Sequence, residues 1–323
     1  MVAFENWELR HAHLKAAHDA DQVEWRAVTN QLASAEGAAF DERVSGEIDD
    51  EFAPQERGPE WDLREARLEG LVGATFEEIE RRRCLMKAAY PFELADGGLV
   101  HRQSVTGVYE FCLAASLRPT AKYTPKPTIV FEWIARDVLT LYLGNGSQAL
   151  RTGWPSNRLE KRARGTIPLF KQLYQRCGEF SWKPRKHLPK HPKPKDFKDG
   201  GLDIVVWKPF QDGRTVSMFA LGQCACGRTD WENKLRDLMP EDLSVWFEGP
   251  TFATPLRFFL VPFHIPNHGH LKMAAQKAGI IMDRARIVMV AEQDDSSRDF
   301  IVQSALVDYD ASASALMDLP AGV

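Results

Sequence analysis

Apolar positions along the chain change period several times, and the changes divide it into segments. Over residues 1 to 35, Phe4, Trp7, Leu14, Trp25, Val28 and Leu32 recur at helical steps, which predicts helix there. Residues 36 to 60 are acidic, with Gly and Pro, and read as a loop. Helical spacing returns over about 61 to 90, and "ADGG" at 95 to 98 marks a break. The segment "TGVYEFCLAASL" runs into "RPTAKYTPKP", a proline-punctuated joint that predicts a boundary near residue 120. Residues 1–120 are therefore expected to form a mainly helical region, a docking or self-association arm, and residues 121–323 a second domain.

In that second part, "TIVFEWIARDVLTLYLG" places Val130, Ile134, Val138 and Leu141 on one helical face, with Gly144 as the stop. A further helix is predicted over about 156 to 177. The stretch "LDIVVWKPFQDGRTVSMFALGQCACG" reads as two strands joined by a turn. A short helix is expected at "DWENKLRDLM", a strand at "LRFFLVPFHI", a helix at "HLKMAAQKAG" and a last strand at "ARIVMVAE". This alternation predicts an α/β domain with a central sheet covered on both faces.

Composition changes the picture little. With 323 residues, 44% of them apolar, the chain is long enough for one large domain or two smaller ones. There is no apolar run of membrane-spanning length and no secretory signal, so a cytoplasmic protein without a membrane partner is expected. Five cysteines form no regular framework, in keeping with a reducing compartment. The net charge of −4 points to no nucleic-acid partner, but its distribution does. "WKPRKHLPKHPKPKDFK", residues 182 to 198, holds seven Lys or Arg and four Pro, which predicts an extended basic loop. Lys186, Lys190, Lys193 and Lys195 in it are candidate DNA-phosphate contacts.

Directly after that loop, Asp203 opens an apolar strand, and the next strand carries a polar Gln223. If the two strands pair, Asp203 and Gln223 converge at one end of the sheet. Oxygen donors fixed on neighbouring strands are the minimum for holding Mg²⁺ against a phosphate. The ordinary alternatives are a turn cap for Asp203, a strand-end amide for Gln223 and an ion pair with Arg136 for Glu132.

The order of these elements resembles the PD-(D/E)xK nuclease superfamily, and within it the Mrr-like restriction endonuclease branch, in which Gln replaces the second acid. The residues that carry the resemblance are Glu132 on its helix, Asp203 in "GGLD" and Gln223 in "ALGQCACG", over roughly residues 127 to 290. The resemblance implies a restriction-endonuclease-like mixed sheet flanked by helices. It also implies Mg²⁺ or Mn²⁺ held by Asp203, Gln223 and Glu132, and endonucleolytic hydrolysis of DNA, often in defence against foreign DNA. One departure stands out: the position that the family fills with Lys is Ala225. Lys208 should face away from Asp203, whereas Lys234 in "DWENKL" is placed to reach back, as displaced lysines do in some members of the superfamily. Without such a lysine the expectation becomes an inactive nuclease fold serving as a DNA-binding or scaffold subunit.

Other constellations are weaker. Cys224 and Cys226 with His264, His268 and His270 lack the second cysteine pair of a zinc site. A Cys-His nucleophile has no supporting signature, and there is no P-loop.

Overall fold

The structure, a computed structural model, describes residues 7–29, 59–95, 98–179, 182–186, 201–237, 246–248 and 254–319. The chain divides into two compact units, Met1–Ser104 with Ile265–Asn267, and Val105–His264 with His268–Val323. The proline-punctuated joint near residue 120 lies inside the larger unit.

In the smaller unit, α1 (Trp7–Val28) packs against α2 (Pro59–Met86). The stripe that α1 buries is Ala17, Ala20, Asp21, Glu24 and Ala27, whereas Leu14 is exposed. The reason lies on the facing helix. Arg82 is fully buried and donates to Asp21 Oδ1 at 2.7 Å, to Glu24 Oε1 at 2.8 Å, to Glu78 Oε1 at 2.8 Å and to the Ala17 carbonyl at 2.8 Å. A buried guanidinium needs its donors satisfied, so it draws the acidic stripe inward. The expected break at "ADGG" separates two short strands, β1 (Phe92–Ala95) and β2 (Gly98–His101), paired antiparallel with Phe92 opposite His101. Most of the acidic segment 36–60 lies outside the described residues.

The larger unit is a mixed α/β fold around a five-stranded sheet. Its strands are β3 (Gln148–Arg151), β4 (Ile204–Lys208), β5 (Met218–Cys224), β6 (Leu256–Leu260) and β7 (Ile280–Met282), in that spatial order. The pairs β3–β4 and β4–β5 are antiparallel, and β5–β6 and β6–β7 are parallel. Two helices precede β3, α3 (Val108–Leu117) and α4 (Pro127–Leu143). Pro127 opens α4, where a missing N–H costs nothing, and Gly144 at φ +85° ends it. α4 crosses one face of the sheet: a Cβ on Gly222 would stand 3.2 Å from Leu139 Cδ1, so glycine permits the close approach.

The opposite face carries Leu150, Val205, Trp207, Phe219 and Leu221, packed against Leu169, Phe170 and Leu173 of α5 (Thr166–Cys177) and against Trp182, Trp246 and Phe247. Four further helices follow β6, namely α6 (His268–Ala278), α7 (Arg284–Ala291), α8 (Asp295–Ser304) and α9 (Tyr309–Met317).

Three sequence expectations need correction. The last strand is Ile280–Met282, and "ARIVMVAE" forms α7, because the Asp283 side chain caps it by accepting the Arg286 N–H and its buried positions fall at helical spacing. The helix expected from 156 begins at Thr166; residues 152–165 form a loop that ends at Gly165 with φ +89°. "DWENKL" forms a 3-10 turn, Trp231–Lys234, rather than an amphipathic α-helix. Among the described residues no helix is long and apolar enough to cross a membrane.

Candidate active site at the end of the sheet

The sheet end where β4 begins and β5 and β6 finish gathers the polar residues singled out above. In open α/β sheets the carboxyl ends of parallel strands form the usual ligand crevice, since the chain diverges there into separate connections. Asp203, immediately before β4, is buried, and its position is fixed twice by backbone. Its N–H donates to the Gly222 carbonyl at 3.0 Å, and its carbonyl accepts from Thr152 at 2.7 Å and Gly153 at 3.0 Å. Its Oδ2 accepts the Cys224 N–H at 2.7 Å, which sets the rotamer and turns Oδ1 elsewhere.

Oδ1 is directed at Gly153, the second residue after β3. A Cβ at Gly153 would lie 3.0 Å from Asp203 Oδ1 and only 2.0 Å from Glu132 Oε2. Two carboxylates from different elements thus share the space that a side chain would fill. Like charges so close repel, and the Arg151 guanidinium, 2.5 Å from Glu132 Oε2, offsets part of that repulsion.

Gln223, on β5, is buried, and its Oε1 has no hydrogen-bond partner. An orphaned buried acceptor is costly in a native structure, and a bound water or ligand would satisfy it. Close to it is another glycine: a Cβ at Gly201, whose φ is +77°, would lie 3.1 Å from Gln223 Oε1 and 2.8 Å from Asp237 Cβ. Glycine is required there by both conformation and space.

Glu132 sits on α4 and does not pair with Arg136, which instead binds Asp137 at 2.7 Å. Its partner is Arg151 at the end of β3, with Nε donating to Glu132 Oε2 at 2.5 Å. Arg151 Nη1 also donates to both oxygens of Glu160, at 2.9 and 3.0 Å. Glu160 in turn accepts from Trp133 Nε1 at 2.9 Å, from the Asn157 N–H at 2.8 Å and from Arg162 Nε at 3.0 Å. Burial works to raise the Glu160 pKa, but the Arg151 charge and the Asn157 N–H outweigh it and hold the carboxyl below the ordinary value. Burial likewise opposes the Arg151 charge, and Glu132 and Glu160 overcome it. The sequence reading missed Arg151, Glu160 and Arg162. Their signal was the charge density of "RTGWPSNRLEKRARG", which a helical period concealed.

The lysines fall as follows. Lys208 Nζ donates to the Leu143 carbonyl at 2.9 Å, at the end of α4, and so serves that helix terminus. Lys234 is partly exposed and lies 3.8 Å from Asp230. Its charge acts on the Cys226 thiol, on which Glu132 and Asp203 also act. Ala225 is buried, with its N–H on the Leu260 carbonyl at 3.0 Å. Lys186 is exposed, and Lys190, Lys193 and Lys195 lie outside the described residues.

Cys224 and Cys226 feel the Asp203 and Glu132 charges. Burial first, and then the Asp203 and Glu132 charges, push the Cys224 thiol well above its ordinary range, and burial does the same for Cys226. Among the described residues no three His, Cys, Asp or Glu side chains surround a common point. His270 bonds Glu232 at 2.9 Å, and His264 lies 3.3 Å from the Tyr109 hydroxyl. A cation at the sheet end would accordingly rest on two carboxylates and one amide, an all-oxygen set suited to Mg²⁺ or Mn²⁺ and not to zinc.

The chain matches no protein-family profile, no curated protein and no solved structure.

Proposed function

We propose that this chain is a metal-dependent nuclease that hydrolyses phosphodiester bonds in DNA, built on a restriction-endonuclease-like sheet. The observation that carries this reading is the approach of Glu132 Oε2 and Asp203 Oδ1 to one point over Gly153, with Gln223, whose Oε1 is orphaned, on the strand paired with the one Asp203 opens. The sheet order, antiparallel and then parallel, with Glu132 on the helix before it, is in keeping with the PD-(D/E)xK resemblance.

Asp203 and Gln223 would hold the cation directly, with Glu132 as the outer ligand. When bound, a divalent ion there polarises a phosphoryl oxygen and lowers the pKa of an attacking water. The protein's part is positioning. The Cys224 N–H fixes Asp203, Arg151 fixes Glu132, and the two glycines leave room for the Glu132 and Gln223 side chains. Lys234, paired with Asp230 at 3.8 Å, would leave that partner for the phosphate and stabilise its developing charge. Cutting of foreign DNA is the biological setting this reading suggests.

A second reading is an inactive nuclease fold that binds DNA as a subunit of a larger complex. Ala225 at the family's lysine position and the Lys234–Asp230 pair favour it. Incubation of plasmid and single-stranded DNA with Mg²⁺ or Mn²⁺ separates the two. The enzyme cleaves, and Asp203→Asn abolishes cleavage while the protein stays folded. The inactive fold binds DNA without cutting under any condition. Cleavage by Asp203→Asn at the wild-type rate would place the chemistry elsewhere.

A further inference from the structure

The orphaned acceptor of the sheet end has a neighbour that the motif residues do not include. Gln223 Oε1 lies 3.1 Å from the position a Cβ would take on Gly201. The same point is 2.8 Å from Asp237 Cβ and 3.4 Å from the Asp237 carbonyl oxygen. A buried amide oxygen and an acidic residue thus border the one space that Gly201 leaves without a side chain. Asp237 arrives there from a separate segment. It follows the Trp231–Lys234 turn, and its N–H donates to the Lys234 carbonyl at 3.0 Å, which sets the course of the backbone. Gln223 is buried and Asp237 is exposed, so an ion has a path from solvent to the amide oxygen.

Charge makes the same point from another side. Glu132 and Glu160 are matched by Arg151 and Arg162. Gln223 is neutral. Among the ligands proposed above, that leaves the Asp203 charge against the two charges of a divalent ion. Asp203 is held on both sides of Gln223, its N–H on the Gly222 carbonyl at 3.0 Å and its Oδ2 on the Cys224 N–H at 2.7 Å. Hard divalent ions take oxygen donors, and the number of negative charges among those donors tunes their affinity. A carboxylate on the Gly201 side of Gln223 supplies the second charge. Ligand carboxylates are ordinarily hydrogen-bonded as well as coordinated, so other contacts of Asp237 leave room for an ion.

We infer that Asp237 is a further ligand of the divalent cation, binding it together with Gln223 and Asp203. The negative charge that glutamine withholds on the strand is returned from the turn that follows it. This rests on the metal-dependent nuclease reading for the role of the cation, and adds to it a ligand outside the motif residues.

The test measures Mn²⁺ binding to the full chain without DNA, by loss of the free-ion signal in paramagnetic resonance, so that activity does not enter. Asp237→Asn is expected to weaken Mn²⁺ binding at least about ten-fold, since it removes one ligand charge. The metal-free thermal midpoint should stay within a few degrees, because the side chain is exposed. Gln223→Glu in the Asp237→Asn background should recover most of the affinity, because the charge returns on the other donor beside Gly201. A merely structural Asp237 would show no such recovery, and its absence would overturn the inference. Wild-type Mn²⁺ binding by Asp237→Asn, alongside its loss in Asp203→Asn, would also overturn it while leaving the nuclease reading in place. If the wild type binds no Mn²⁺, the metal-dependent reading itself fails.

Discussion

Glu132, from the middle of a helix, and Asp203, at the mouth of a strand, direct one carboxylate oxygen each at the place where Gly153 lacks a side chain. The Cβ position of Gly153 is 2.0 Å from Glu132 Oε2 and 3.0 Å from Asp203 Oδ1. Neither oxygen can retreat freely. Asp203 is tethered through the Cys224 N–H and Glu132 through Arg151. Glycine here leaves the Glu132 carboxylate its place rather than making a turn, since its φ is not in the left-handed region.

Gly153→Ala should therefore separate function from stability. The methyl displaces the carboxylates, so divalent-ion binding followed by Mn²⁺ paramagnetic resonance should weaken at least about ten-fold, and cleavage should fall with it. The backbone accommodates alanine, so the thermal midpoint should drop by only a few degrees, in line with about 1–2 kcal/mol of overpacking. Wild-type metal binding by Gly153→Ala would refute the shared site.

Gln223 makes a complementary case. A buried acceptor without a partner is a stability cost that a ligand removes. Gln223→Met, similar in shape, should leave the unliganded protein equally stable or more stable by about 1 kcal/mol in urea unfolding, while abolishing cleavage. Gln223→Glu should keep activity and lower the Mg²⁺ concentration needed, because it adds the charge that the family's usual acid supplies. A clear loss of stability in Gln223→Met would mean that the amide has a structural partner and is not a waiting ligand.

The sequence made some of this legible and hid the rest for identifiable reasons. The helix Pro127–Leu143 was readable because Pro127, the apolar face and Gly144 agree, and the hairpin because its strands alternate. The pairing of Glu132 with Arg151 was not. Arg136 stands one helical turn away and is the obvious partner by spacing, but Asp137 takes it, and a contact across the sheet leaves no local trace. Within the loop 152–165, charges and apolar residues from 156 onward fall at helical intervals and so predict helix there. Pro155 and Gly165, together with the inward turn of Glu160 to Arg151, decide otherwise. "ARIVMVAE" carries β-branched residues that suggest a strand, and the cap at Asp283 overrides them.

The network behind the loop should respond to pH with a defined sign. The Glu160 carboxyl lies below its ordinary value in the folded state, so the unfolded chain binds its proton first as pH falls. Its contribution to stability is thus full above the unfolded value of 4.5 and is lost progressively as pH falls through the folded one. Urea unfolding of the wild type and Glu160→Gln should differ most at neutral pH and converge toward pH 3. A difference that grows on acidification would reverse the assignment. At neutral pH Arg151→Met should cost about 3–5 kcal/mol, because it strands Glu132 and Glu160 as buried charges. Adding Glu160→Gln to it should recover part of that loss.

In the proposed reaction, Lys234 is the residue on which activity, as opposed to binding, turns. It stands one 3-10 turn beyond β5, paired at 3.8 Å with Asp230, both side chains partly exposed. A pair of that kind contributes little to stability, and removing either partner should leave the thermal midpoint within a few degrees. If the ammonium leaves Asp230 for the substrate phosphate, its interaction exists mainly in the transition state. Lys234→Ala should then lower kcat by two or more orders of magnitude with little change in DNA affinity. Asp230→Asn releases the lysine from its resting partner and should hold or raise kcat, which a purely structural pair would not do. Ala225→Lys in the Lys234→Ala background restores a cation beside Gln223. Ala225 is buried, so this variant should be less stable while regaining part of the activity. Full activity in Lys234→Ala would exclude the displaced lysine. A chain that binds DNA tightly yet never cuts it, with Lys234 present or absent, would be the inactive fold.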